Sequence, residues 1–210
     1  MKISGRNTIA APPQTVWDAI NDPAVLARTL PGCESMEVVG DGAYKATVTA
    51  GVASIRGTYT GTVVLSDLQE PESLTLAAQG AGSAGTIGAD VDVVLEEEGD
   101  ATVVVWDAEA IVGGTIGGVG QRMLAGVSQR MAGEFFGNLE DDILNGPPAV
   151  DVVPGGEADA GADPRATGTV FAGSAGAARA GGDDTARLVG AFLLGAAVAL
   201  VGVLVGRRTR

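Results

Sequence analysis

The chain has no histidine and a single cysteine, Cys33, among 210 residues. Without histidine the commonest general base and the commonest zinc ligand are missing, so acid–base or metal chemistry would rest on carboxylates alone. One thiol excludes an intramolecular disulfide and fits a reducing compartment. With no imidazole to raise its thiolate fraction, Cys33 beside Glu34 reads as a packing or turn residue. Aromatics make up only 4% of the residues, so any core is filled by Val, Leu, Ile and Ala. Basic residues are few as well, 13 against 26 acidic, for a net charge of −13. Residues 1–145 hold seven of the basic and twenty of the acidic side chains, and residues 146–210 hold six of each. An acidic folded part argues against nucleic acid, whose phosphates need a basic footprint, and is repelled by anionic headgroups. The start, Met1 to Asn7, has no apolar signal region, so no secretion signal is expected.

What is present falls into three zones, 1–145, 146–186 and 187–210. The first alternates like an α+β domain. A strand over Lys2–Ile9 precedes a short helix carrying Val16, Trp17 and Ile20, entered through Pro12-Pro13. A second short helix from Pro23 ends at Pro31-Gly32. From Cys33 to Val112 the apolar period is two, which predicts six antiparallel strands. Val91, Val93, Leu95, Val104, Trp106, Ala108 and Ala110 face one way, and Asp90, Asp92, Asp107 and Glu109 the other. Such a sheet is covered on one side only. Ile116 to Leu144 predicts one long helix, with Val119, Met123, Val127, Met131, Phe135, Leu139 and Ile143 as its apolar stripe. Six strands closed by a long helix is the helix-grip order.

The second zone, Gly146–Ala186, contains nine Gly, eleven Ala and four Pro. It shows no sustained periodicity, so a disordered linker is expected. The third holds eighteen uncharged residues, Leu188–Val205, before Arg207, Arg208 and Arg210. As a helix this run would extend about 27 Å, just short of a hydrocarbon core of roughly 30 Å. A C-terminal membrane-associating helix is therefore expected. With a cytoplasmic domain, a full span would put the arginines on the wrong side for the positive-inside rule. A shallow or re-entrant seat at the inner face of the membrane, with the arginines snorkelling, is the alternative.

A set of motifs runs through residues 1–144: Ile9-Ala10-Ala11-Pro12 with Val16-Trp17, Leu30-Pro31-Gly32-Cys33-Glu34, Gly51-Val52, and Ile55-Arg56-Gly57-Thr58-Tyr59-Thr60-Gly61. Gly113-Gly114, Gly117-Gly118-Val119-Gly120-Gln121-Arg122 and Phe135-Phe136 with Leu139 complete it. With these motifs residues 1–144 resemble the carbon monoxide dehydrogenase CoxG family, a branch of the START-like (SRPBCC) superfamily. The resemblance implies an accessory, non-catalytic protein of aerobic molybdenum CO dehydrogenases. It also implies a domain that binds respiratory quinone of the menaquinone type and a tail that keeps the enzyme near the membrane. Membrane lipid, quinone and the dehydrogenase are the implied partners, with no metal and no nucleic acid.

The inward positions of the predicted sheet add a physical expectation. Ala46, Ala50, Gly57, Gly61, Ala78, Gly80, Ala89, Ala108 and Ala110 sit where bulky core residues belong. This leaves either a cavity or a gap filled by Met123, Met131, Tyr59 and Trp106. The cavity reading makes Ala46, Val48, Gly57, Tyr59, Gly61, Trp106, Ala108, Met123, Val127, Met131 and Phe135 the candidate lining. Arg56 and Arg122 would reach a quinone carbonyl only if turned inward. Gly117-Gly118-Val119-Gly120 lacks the Lys-Ser/Thr of a phosphate loop and reads as a turn. Glu96-Glu97-Glu98-Gly99-Asp100 reads as a solvated hairpin tip. Two other functional classes remain open: a START-like enzyme on an apolar substrate, which needs inward carboxylates not seen here, and a protein-binding anchor with no ligand.

Overall fold

The computed structural model describes residues 1–52, 54–147 and 166–174. Its elements run β1 (Lys2–Ile9), α1 (Pro13–Ile20), α2 (Pro23–Thr29), β2 (Cys33–Gly40), β3 (Ala43–Val52), β4 (Ile55–Gln69), β5 (Ser73–Gly82), β6 (Gly85–Glu98), β7 (Ala101–Gly113), α3 (Gln121–Asn145) and β8 (Val170–Ala172). The strands form one eight-stranded sheet in the order β1-β7-β6-β5-β4-β3-β2-β8. Every pairing is antiparallel. Strands β2 to β7 follow one another as hairpins, while α1 and α2 carry the chain from β1 across to β2. This is the α+β helix-grip, START-like fold.

Local chemistry fixes the two short helices. Pro13 and Pro23 occupy first-turn positions, where a missing N–H costs nothing. The Asp22 carboxylate accepts from the Ala24 amide at 2.8 Å, capping α2. In the sheet, alternation does what period two demands: Tyr44, Ala46, Val48 and Ala50 are buried, as are Val104, Trp106, Ala108 and Ala110. The acidic side chains of Asp90, Asp92, Asp107 and Glu109 are exposed on the opposite face.

The expected single helix from Ile116 is broken. Ile116–Val119 is a 3₁₀ turn, and Gly120, at φ 95°, separates it from α3. Only glycine adopts that backbone readily. The buried side of α3 is Leu124, Ser128, Met131, Phe135 and Leu139. A stripe of every fourth residue overruns 3.6 residues per turn by about 40° per step. Counted back from Phe135, it therefore leaves the core by Met123, which is 50% exposed.

The C-terminal half of α3 is fastened by polar contacts. Arg28 on α2 donates to both carboxylate oxygens of Asp142, Nε to Oδ1 at 2.5 Å and a terminal guanidinium nitrogen to Oδ2 at 2.8 Å. Asn138 Nδ2 donates to the Thr29 carbonyl at 2.9 Å, and Glu140 Oε1 accepts from the Ala10 amide at 2.8 Å.

The expected disordered linker is corrected for one stretch. Residues 170–172 pair with β2, and Phe171 packs against the core. An isolated Val-Phe-Ala in Gly/Ala-rich surroundings is too short to show a period, and an open sheet edge supplies the hydrogen bonds it needs. The apolar run Leu188–Val205 lies outside the described residues. Among those described, no helix is long and apolar enough to cross a membrane.

Candidate functional site

Between the sheet and α3 lie two neighbouring apolar chambers. The first, of about 110 Å³, is lined from the sheet by Leu76, Val91, Val93, Trp106 and Ala108. Its other walls are Leu30 and Pro31 from the α2–β2 corner and Met131, Ala132, Phe135 and Phe136 from α3. The second, of about 80 Å³, extends under α1 and α2 towards Ile20, Leu26, Met36, Tyr44, Ala46 and Leu74. Leu30, Leu76, Val93, Phe135 and Phe136 border both. The two phenylalanine rings on this shared border meet edge to face, with centroids 5.1 Å apart. No lining side chain of either chamber is ionisable below the tyrosine range, since the one titratable member is Tyr44.

Of the eleven residues expected to line a cavity, Trp106, Ala108, Met131 and Phe135 border the first chamber, and Ala46 and Phe135 the second. Val48, Gly57, Tyr59, Gly61, Met123 and Val127 border neither. Met123 lies where the stripe has left the core, while Val127 is part-buried against the core without reaching either chamber. Val48 is buried in the packed core. The glycines are small for another reason: aromatic rings or backbone occupy the space. Tyr59 faces Gly82 across the ladder, and a Cβ on Gly82 would sit 2.7 Å from its ring. A Cβ on Gly57 would meet Ser83 Oγ at 3.2 Å and the Tyr59 ring only in ordinary contact at 3.4 Å, whereas one on Gly61 would meet the Gln79 carbonyl oxygen at 2.9 Å. Trp106 likewise lies over its partner Gly5, where a Cβ would come within 2.4 Å of the indole. Its Nε1 donates to Asn7 Oδ1 at 3.1 Å. A ring laid across a cross-strand glycine is a known way to steady such a position. Part of the expected void is therefore filled by Tyr59 and Trp106, and part is left as the two chambers.

Sequence reasoning missed the corner Leu30-Pro31 and the β5 residues Leu74 and Leu76. The inward alternation of β5 marks the two leucines, but nothing local shows that the corner folds over the sheet. It missed Ser128 too, which is fully buried on the α3 stripe and has no hydrogen-bond partner among the described residues. Arg56 and Arg122 both point to solvent.

Burial dominates the electrostatics of the interior. The Cys33 thiol is pushed up to about 12, mainly by desolvation, against a smaller opposing effect of the Ser35 backbone. It stays in the thiol form at neutral pH. Burial also raises the Tyr59 phenol, keeping it neutral. Among the described residues no cluster of His, Cys, Asp and Glu could hold a metal ion.

Solved structures share this fold. A conserved protein from Geobacillus kaustophilus is 28% identical, with a TM-score of 0.67 over 69% of this chain and 96% of its own. A START superfamily protein from Mycobacterium smegmatis shares the fold at 13% identity, with a TM-score of 0.54 over 69% and 97%. So does the Zhui aromatase/cyclase from Streptomyces, at 15% identity and a TM-score of 0.53 over 69% and 94%. No curated protein is significantly similar. The sequence model of the carbon monoxide dehydrogenase CoxG family matches residues 5–144, two-thirds of the chain, and the chain belongs to that family.

Proposed function

We propose that the domain is a non-catalytic carrier that holds a respiratory quinone, of the menaquinone type, between the sheet and α3 in the service of a molybdenum CO dehydrogenase. The observation that carries this reading is the pair of neighbouring apolar chambers that share Leu30, Leu76, Val93, Phe135 and Phe136 in their walls. Each is smaller than the roughly 300 Å³ at which pockets for drug-sized ligands begin. A fused ring system with an isoprenoid chain needs the two to merge. In this reading the shared side chains, Phe135 and Phe136 among them, turn to join the two, and Met131 is the pliant wall that adapts to what enters. An apolar lining binds such a ligand through area removed from water, at about 25 cal/mol per Å². It offers no carboxylate pair for acid–base work. In this reading the C-terminal run Leu188–Val205 keeps the carrier at the inner face of the cell membrane, and quinol formed beside the enzyme returns to lipid.

Fluorescence titration with menadione tests this reading. Trp106 borders the first chamber, so in a Trp17→Phe background a bound naphthoquinone quenches the remaining indole saturably. Linear, unsaturable quenching identical to that of free tryptophan would reject the carrier reading.

A further inference from the structure

The strongest unassigned feature is the seating of residues 168–174 on the β2 edge. Gly168 donates its amide to the Val38 carbonyl at 2.7 Å, and Val38 donates to Thr169 at 2.9 Å. Val170, Phe171 and Ala172 then pair with Glu37, Met36 and Ser35. The Gly173 amide donates to the Glu34 carbonyl at 2.9 Å, and Ser174 Oγ to the Leu30 carbonyl at 3.3 Å. The segment fits so closely that a Cβ on Gly173 would lie 2.2 Å from the Cys33 carbonyl oxygen.

What this segment backs is the wall of the apolar chambers. Leu30 borders both, Pro31 the first, and Met36, opposite Phe171, the second. The other walls are fastened independently: the sheet by its ladders, and α2 to α3 by the Arg28–Asp142 and Asn138–Thr29 contacts. We propose that residues 168–174 are a strap that holds the Leu30–Met36 wall shut and must lift for an apolar ligand to enter or leave. The proposal deepens the carrier reading and rests on it. A strand of three residues on a sheet edge opens far more readily than the sheet it borders. Thirteen residues separate Ser174 from Leu188, so the strap stands in the chain between the cavity and the apolar run.

Cys33, the single cysteine, lies buried beneath the strap and reports on it. In the full chain, Gly173→Val cannot seat the strap, yet the substitution touches no chamber residue. Cys33 labelling by a disulfide reagent and stopped-flow entry of the uncharged probe N-phenyl-1-naphthylamine should both accelerate, at least roughly tenfold for loss of several hydrogen bonds. Ser174→Ala, which removes one bond and preserves the backbone, should raise both a few-fold. Faster labelling with unchanged probe entry would overturn the gate, as would labelling that neither variant changes. Entry of the probe but not of menadione would sink the quinone reading alone and leave the gate standing on the probe's rate. A probe that enters neither wild type nor variant would sink both.

Discussion

Ala108 separates the two meanings of a small residue in this sheet. It borders the first chamber, whereas Gly61 is small because the Gln79 carbonyl stands close by. Ala108→Leu should therefore leave the melting temperature of ligand-free protein unchanged or raised, and weaken menadione binding at least tenfold. Ordinary overpacking would instead cost about 1–3 kcal/mol, so a fall of many degrees with binding intact would show the space to be already full. Ser128 makes a second residue-level case. A buried hydroxyl without a partner costs about 1–3 kcal/mol, so Ser128→Ala should raise the chemical-denaturation midpoint of the ligand-free domain. Cys33 gives a pH dependence. Its folded value of about 12 stands above the usual value of 9.0, so the unfolded chain loses its thiol proton first as pH rises. The stabilisation is whole below pH 9 and declines between 9 and 12. Denaturation across that window should show a steeper loss for wild type than for Cys33→Ala, and parallel curves would contradict the assignment.

Among the elements, α3 brings Phe135 and Phe136 to both chambers and is fastened to α2. Arg28 and Asp142 form a two-point ion pair with side chains 28% and 9% exposed, and removing one partner leaves a largely buried charge alone. Asp142→Ala should cost about 2–3 kcal/mol by denaturant unfolding, and a double-mutant cycle with Arg28→Met should recover much of it. The sheet was legible from sequence because period-two alternation follows directly from which face is buried, and the stretch from Cys33 to Gly113 does form six strands, β2 to β7. The facing of α3 was not, since a spacing of four mimics 3.6 over two turns and fails over five. Nor was the division between cavity and filled core: whether Tyr59 lies over Gly82 or swings away is decided by ladder register and rotamer. Strand β8 carries no signal of its own, and exists because β2 offers it an edge.

At the scale of the whole molecule the account joins an acidic START-like domain, a strap and an apolar run. Deleting residues 188–210 should shift the protein from the membrane to the soluble fraction, because an acidic surface gains nothing from anionic lipid. Retention at the membrane in high salt would contradict this. The deletion spares the strap, so Cys33 should remain as slow to label as in the full chain. Whether the space between sheet and α3 carries quinone is read directly by mass spectrometry of an organic extract from protein purified without detergent. An isoprenoid quinone should copurify with the intact chain and be lost in Ala108→Leu. An extract containing only phospholipid, or quinone retained equally by the variant, would contradict the carrier reading.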